Sequence, residues 1–168
     1  MTDHDGALLL LRICFGVTMA AHGYSKLFMG AGIAGAGKWF SSLGLRPGSF
    51  HAWLAALTEI GAGIALALGL FTPFASAAFV ALMLVAGWTV HRSKGFFIGT
   101  GGWEYTFIMA VGGIAIAVAG PGHISMDWVL FSNGIIAGWA GLTIAVAGGL
   151  LAGVALLAGF YRPQQQPS

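Results

Sequence analysis

The chain has 168 residues, of which 58% are hydrophobic and 7% charged, with seven Lys or Arg against five Asp or Glu. So little charge excludes a soluble globular domain and points to an integral membrane protein, for which nucleic acid is not an expected partner. Cys14 is the only cysteine, which excludes an intramolecular disulfide, a CxxC redox pair or a cysteine-held cluster within one chain.

A spanning helix takes roughly 20 mainly apolar residues. Five stretches of about that length are separated by turn signals, at about 7–29, 52–71, 74–91, 103–120 and 134–160. The acidic start "MTDHD" has no positive n-region and precedes no cleavage site, so the first helix is expected to be retained. Between the first two helices, "KWFSSLGLRPG" mixes Trp39, Phe40, Leu43 and Leu45 with Lys38 and Arg46. A short element in the membrane interface and a plain loop fit it equally well. Phe71-Thr72-Pro73 divides an apolar run too long for one crossing into a helical hairpin, because proline resists continuing the helix before it.

A polar, glycine-rich loop from Lys94 to Gly102 precedes the fourth helix, and Gly120-Pro121-Gly122 ends it. The fifth helix has no charge between Asp127 and Arg162 and carries Gly134-x-x-x-Gly138 and Gly149-x-x-x-Gly153. Small residues at this spacing favour close helix approach in lipid, either within the chain or in a homo-oligomer. The end of the chain, 163–168, is polar and proline-rich and is expected to be disordered. The whole of 1–168 reads as one membrane domain with a core at about 7–130.

Short cytoplasmic loops collect Lys and Arg. With five crossings, Lys26, Lys38, Arg46, Arg92, Lys94 and Arg162 fall on one side, and Arg12, Asp3, Asp5 and Asp127 on the other. The expected orientation in a bacterial inner membrane is N terminus outside and C terminus cytoplasmic. Trp39, Trp53, Trp103 and Trp128 lie near helix ends, where indoles favour the headgroup region.

Ionisable residues inside spanning helices are costly and mark function by default. His22 and Glu59 fall at matching depth in the first two helices, and Lys26 lies one turn from His22 on the same face, so Glu59 is within reach of either. His91 and Glu104 approach the same end of the bundle. Tyr24, Trp88 and Tyr105 are aromatic neighbours of this inner cluster, whose substrate-binding members would be Tyr24, Trp88, His91, Glu104 and Tyr105. At the outer end, Arg12 and Asp127 are expected to form a structural ion pair. The bland alternatives are that Lys26 snorkels to the headgroups, that His91 and Arg92 are an ordinary basic flank, and that His22 and Glu59 only fix helix register.

The sequence resembles the DoxX family of small bacterial membrane proteins. The features that carry the resemblance run in order: "LLLLRICFGVTMAAHGYSKLF", then "TEIGAG" and "GLFTP", then "GGWEYTF" and "GPGHISMD". The positions it carries over are Arg12, His22, Gly23, Lys26, Glu59, Glu104, Ser125 and Asp127. The resemblance implies a four-helix transmembrane bundle associated with quinone-linked oxidoreductase systems and redox stress, alongside soluble redox enzymes. The helix at 134–160 is then an addition to the family core.

The function expected on these grounds is a quinone-binding or redox-associated membrane subunit. His22, Lys26 and Glu59 would supply hydrogen bonds and a proton relay to a quinone substrate. No strand-flanked GxGxxG for flavin or nicotinamide occurs, and no cysteine set for an iron-sulfur cluster, so electrons would come from a partner. Haem ligation by His22 and His91 suffers a depth mismatch, and His22, Glu59 and Glu104 match no metal motif, so neither haem nor metal is expected. The competing readings are a scaffold that docks soluble redox enzymes through Lys38, Arg46, Arg92 and Lys94, and a proton-coupled transporter of small solutes using Glu59.

Overall fold

The structure, a computed structural model, describes residues 2–132 and 134–163. In chain order its helices are α1 (Asp3–Phe28), α2 (Gly32–Ser42), α3 (Gly48–Leu68), α4 (Thr72–Ala86), α5 (Glu104–Ala119), α6 (Met126–Phe131), α7 (Gly138–Thr143) and α8 (Gly149–Phe160). A π turn at Gly87–His91 and a 3-10 turn at Arg92–Lys94 extend α4, and a second π turn, Ile144–Gly148, joins α7 to α8 as one rod. No named strand occurs among the described residues.

Four rods are long and apolar enough to cross a membrane: α1, α3, Thr72–Lys94 and Gly138–Phe160. The shorter apolar α5 completes the bundle by packing on α4. Large apolar side chains such as Leu10, Leu57, Val129 and Leu151 stand exposed around it, which in a lipid solvent is the favourable arrangement. The fold is an all-helical membrane bundle with an extra C-terminal rod.

Local chemistry sets the helix boundaries. Thr2 and Asp5 form a reciprocal capping box at the start of α1. Gly69 takes the left-handed conformation that ends α3, and Pro73 stands in the first turn of α4, where its missing N–H costs nothing. The stretch between α1 and α3 contains a helix rather than a plain loop, with Gly37 and Phe40 buried.

α1 and α3 run antiparallel with their backbones in close approach. A Cβ on Gly16 would collide with the Gly63 carbonyl and stand 2.8 Å from Ala67 N, and one on Gly23 would stand 2.6 Å from the Ala56 carbonyl. Gly16 and Gly23 are seven residues apart on α1, as are Ala56 and Gly63 on α3, so small residues recur every second turn along one seam. Beside it, Met19, Leu66, Phe79, Met83, Met109 and Ile116 form the buried apolar core.

Two expectations about the last rod change. It begins at Gly138 rather than 134, and Gly134 to Ala137 lie outside the helix, so Gly134 and Gly138 form no helical packing motif. Gly149 and Gly153 instead face α4, where added Cβ atoms would stand 2.7 Å from the Ala77 carbonyl and 2.8 Å from Leu84 Cδ2. Both glycines therefore serve packing within the chain. The expected disorder of 163–168 falls almost wholly on residues 164–168, outside the described residues.

Candidate functional site

At the end of the bundle where α1 and α8 finish and α3 begins, a cavity of about 710 Å³ lies among α1, α2, α3, α4, α5 and α8. Its wall is mainly apolar, with Met19, Phe40, Leu54 and Leu82 among its members. The polar side chains in its wall include His22, Lys26, His51, Thr58, Glu59, Thr89, His91, Tyr105 and Thr106. The C-terminal rod supplies Ala152, Gly153 and Leu156. Its end is tied to the loop after α2: Arg162 N donates to the Gly44 carbonyl at 2.7 Å and Arg46 N to the Phe160 carbonyl at 3.2 Å. The extra rod is thus one wall of the cavity.

The centre of the polar set is an ion pair. Lys26 Nζ lies 2.8 Å from Glu59 Oε1 and 2.6 Å from Oε2, and only weakly approaches the His22 carbonyl at 3.4 Å. Of the two partners within reach of Glu59 by sequence, the structure selects Lys26. His22 is exposed at the cavity surface, with its ring centroid 5.3 Å from that of Tyr105. The Tyr105 hydroxyl is buried and has no hydrogen-bond partner among the described residues. His91 sits on the π turn, and its Nδ1 is 2.6 Å from the Gly101 carbonyl, which anchors the 95–103 loop to the end of α4.

Three members of the expected cluster lie elsewhere. Tyr24 is exposed and packs on Phe28, with ring centroids 4.8 Å apart. Trp88 lines a shallower groove of about 430 Å³ and carries the Arg92 guanidinium 4.4 Å above its ring. Glu104 accepts a hydrogen bond from Ile98 N at 2.8 Å and so pins a loop.

At the opposite end of the bundle, the expected direct ion pair of Arg12 and Asp127 is not formed. Asp127 Oδ1 accepts from Phe71 N at 2.7 Å, and Oδ2 accepts from Thr72 N at 2.9 Å and from Thr72 Oγ1 at 2.7 Å. The carboxylate caps α4 from a distant segment, holding Phe71 at a positive φ of 48°. Arg12, fully buried, donates to the Ile124 carbonyl and packs its guanidinium so closely over Gly69 that no Cβ would fit there. The side-chain contact made nearby is that of Asp5 Oδ1 with His123 Nδ1, at 2.8 Å. These contacts tie α1, the α3–α4 turn and the segment after α5 together.

Sequence reasoning missed His51, which is 3% exposed and whose Nε2 has no partner among the described residues. A histidine so near the start of α3 reads as interfacial, and only the packing of α2 and α8 over it shows the burial. No group of three or more His, Cys, Asp or Glu among the described residues is placed to hold a metal ion.

The DoxX family profile matches residues 7–92, just over half of the chain. The chain belongs to the DoxX family. Searches of curated proteins and of solved structures returned no match. The DoxX stretch contains α1 from residue 7 onward and α2 to α4, and with them His22, Lys26, His51, Glu59 and His91. Tyr105 and the wall residues Ala152, Gly153 and Leu156 lie beyond it.

Proposed function

We propose that this DoxX protein binds a quinone, or a similar lipid-soluble redox molecule, in the cavity. It would act as a redox-associated subunit of an oxidoreductase system in the bacterial inner membrane. The observation that carries the reading is one apolar cavity, large enough for a ring system, with an ion pair and two aromatic donors gathered at one place in its wall. Lys26 has three N–H donors, two of them directed at Glu59, and the third makes only a long contact of 3.4 Å to the His22 carbonyl that a ligand carbonyl would displace. As an electron pair enters a quinone, its carbonyl oxygens gain charge and then protons. Lys26, His22 and Tyr105 would stabilise that charge, and Glu59 would relay the proton.

The electrons would come from a soluble redox partner. Lys38, Arg46, Arg92, Lys94 and Arg162 are exposed at the cavity end of the bundle, which supports a cytoplasmic orientation for that end and offers such a partner a basic surface. The test is the ultraviolet-visible spectrum and the extracted-lipid mass spectrum of the detergent-purified protein, with Glu59→Gln and His22→Ala alongside. Stoichiometric quinone in the wild type and its loss in either variant is the expected result. No quinone in the wild type, together with capture of a soluble redox enzyme, would favour the scaffold reading instead.

A further inference from the structure

We propose that the ligand of this cavity is held at two poles, with His51 as the second pole. The ligand class is then an elongate aromatic molecule that carries hydrogen-bonding groups at both ends of its rigid part. This rests on the reading of the cavity as a site for a lipid-soluble redox molecule and narrows it. Two polar atoms in the cavity wall are buried and unpartnered among the described residues, Tyr105 Oη and His51 Nε2. Buried polar atoms nearly always have partners, and an orphan is destabilising until something supplies one. Tyr105 stands beside His22 and the Lys26–Glu59 pair. His51 stands apart, eight residues before Glu59 on α3, or about 12 Å of helix rise.

Between the poles the wall is apolar or weakly polar, with Leu54, Ala55 and Thr58 of α3 facing Leu156 of α8. The His51 ring is clamped before any ligand enters, by Phe50 at 5.2 Å and Phe160 at 5.0 Å between centroids, both edge-on. Its nitrogen therefore points in a fixed direction, and a ligand group that meets it spends little on ordering the side chain. A molecule polar at only one end would satisfy the Tyr105 pole and leave His51 unpaired.

The experiment compares two probes with one ring footprint, 2-hydroxyanthraquinone and 2,6-dihydroxyanthraquinone. Their binding to the full chain in lipid nanodiscs is read by tryptophan fluorescence quenching against empty nanodiscs. The dihydroxy probe should bind the wild type about tenfold more tightly than the monohydroxy probe. In His51→Phe the two affinities should become equal, at the monohydroxy value, and His51→Gln should restore most of the preference. His51→Leu replaces His51→Phe if the latter does not fold. Equal binding of both probes to the wild type, or a preference that survives loss of His51, would overturn the second pole and leave the one-pole site standing. If neither probe exceeds empty nanodiscs in the wild type, the cavity reading falls and the second pole with it.

Discussion

Lys26 Nζ sits within 2.8 Å of both carboxylate oxygens of Glu59, and the two residues are 33 positions apart in the sequence on antiparallel helices. The pair exists because Gly16 and Gly23 bring α1 against α3 closely enough for a lysine on one helix to reach a glutamate on the other. Neither charge alone suits an apolar interior, and together they are neutral.

Removing one partner should therefore be worse than removing both. Lys26→Met leaves Glu59 buried without its cation and should lower stability by about 3 kcal/mol, whereas Lys26→Met with Glu59→Gln should recover much of the loss. Thermal unfolding in detergent of the two single variants and the double variant measures the coupling. Additive losses would mean that the two side chains do not interact.

The α1–α3 seam gives a second prediction. Gly16→Ala forces a methyl into the Gly63 carbonyl and should cost about 2 kcal/mol. Gly61→Ala, on the same pair of helices but with open space around it, should be neutral or stabilising by up to about 1 kcal/mol through helix propensity. Unfolding midpoints of the two variants check this, and equal effects would contradict the close approach.

How much of this was legible in the sequence depended on the kind of signal. Lys26 and Glu59 stood out because each interrupts an apolar run, and the hairpin was marked by Pro73. The outer end misled because Arg12 and Asp127 have opposite charge, while the carboxylate in fact finds three donors at the start of α4, and no sequence pattern announces a cap from 55 residues away. Among 28 glycines, the ones at the seam could not be told from the rest, and Gly134 drew notice only through its spacing from Gly138. His51 was hidden because its burial depends in part on α8, whose Phe160 lies more than 100 residues away in the sequence.

Asp127 carries the third prediction. Asp127→Ala removes every side-chain bond that caps α4 and should destabilise the protein by about 2 kcal/mol, with Asp127→Asn intermediate. Ligand bound per folded molecule should stay at the wild-type level, because Asp127 is at the opposite end of the bundle from the cavity. Scanning calorimetry with ligand extraction on the same sample separates the two effects.

The C-terminal rod carries the fourth. Ala152→Trp places an indole from α8 into the cavity while leaving the Lys26–Glu59 pair untouched. Bound quinone should fall at least tenfold with the unfolding midpoint little changed, since the new side chain enters existing space. Full retention of ligand would remove α8 from the site.

The most direct measurement is photo-crosslinking of the protein in membranes with an azido-quinone, mapped by peptide mass spectrometry. Label should concentrate on Leu54, Ala55 and Thr58 of α3 and on Ala152, Gly153 and Leu156 of α8, be displaced by unlabelled quinone, and disappear in Glu59→Gln. Label spread over lipid-facing positions such as Leu10, Leu57 and Leu151, and indifferent to competitor, would contradict a quinone site in the cavity.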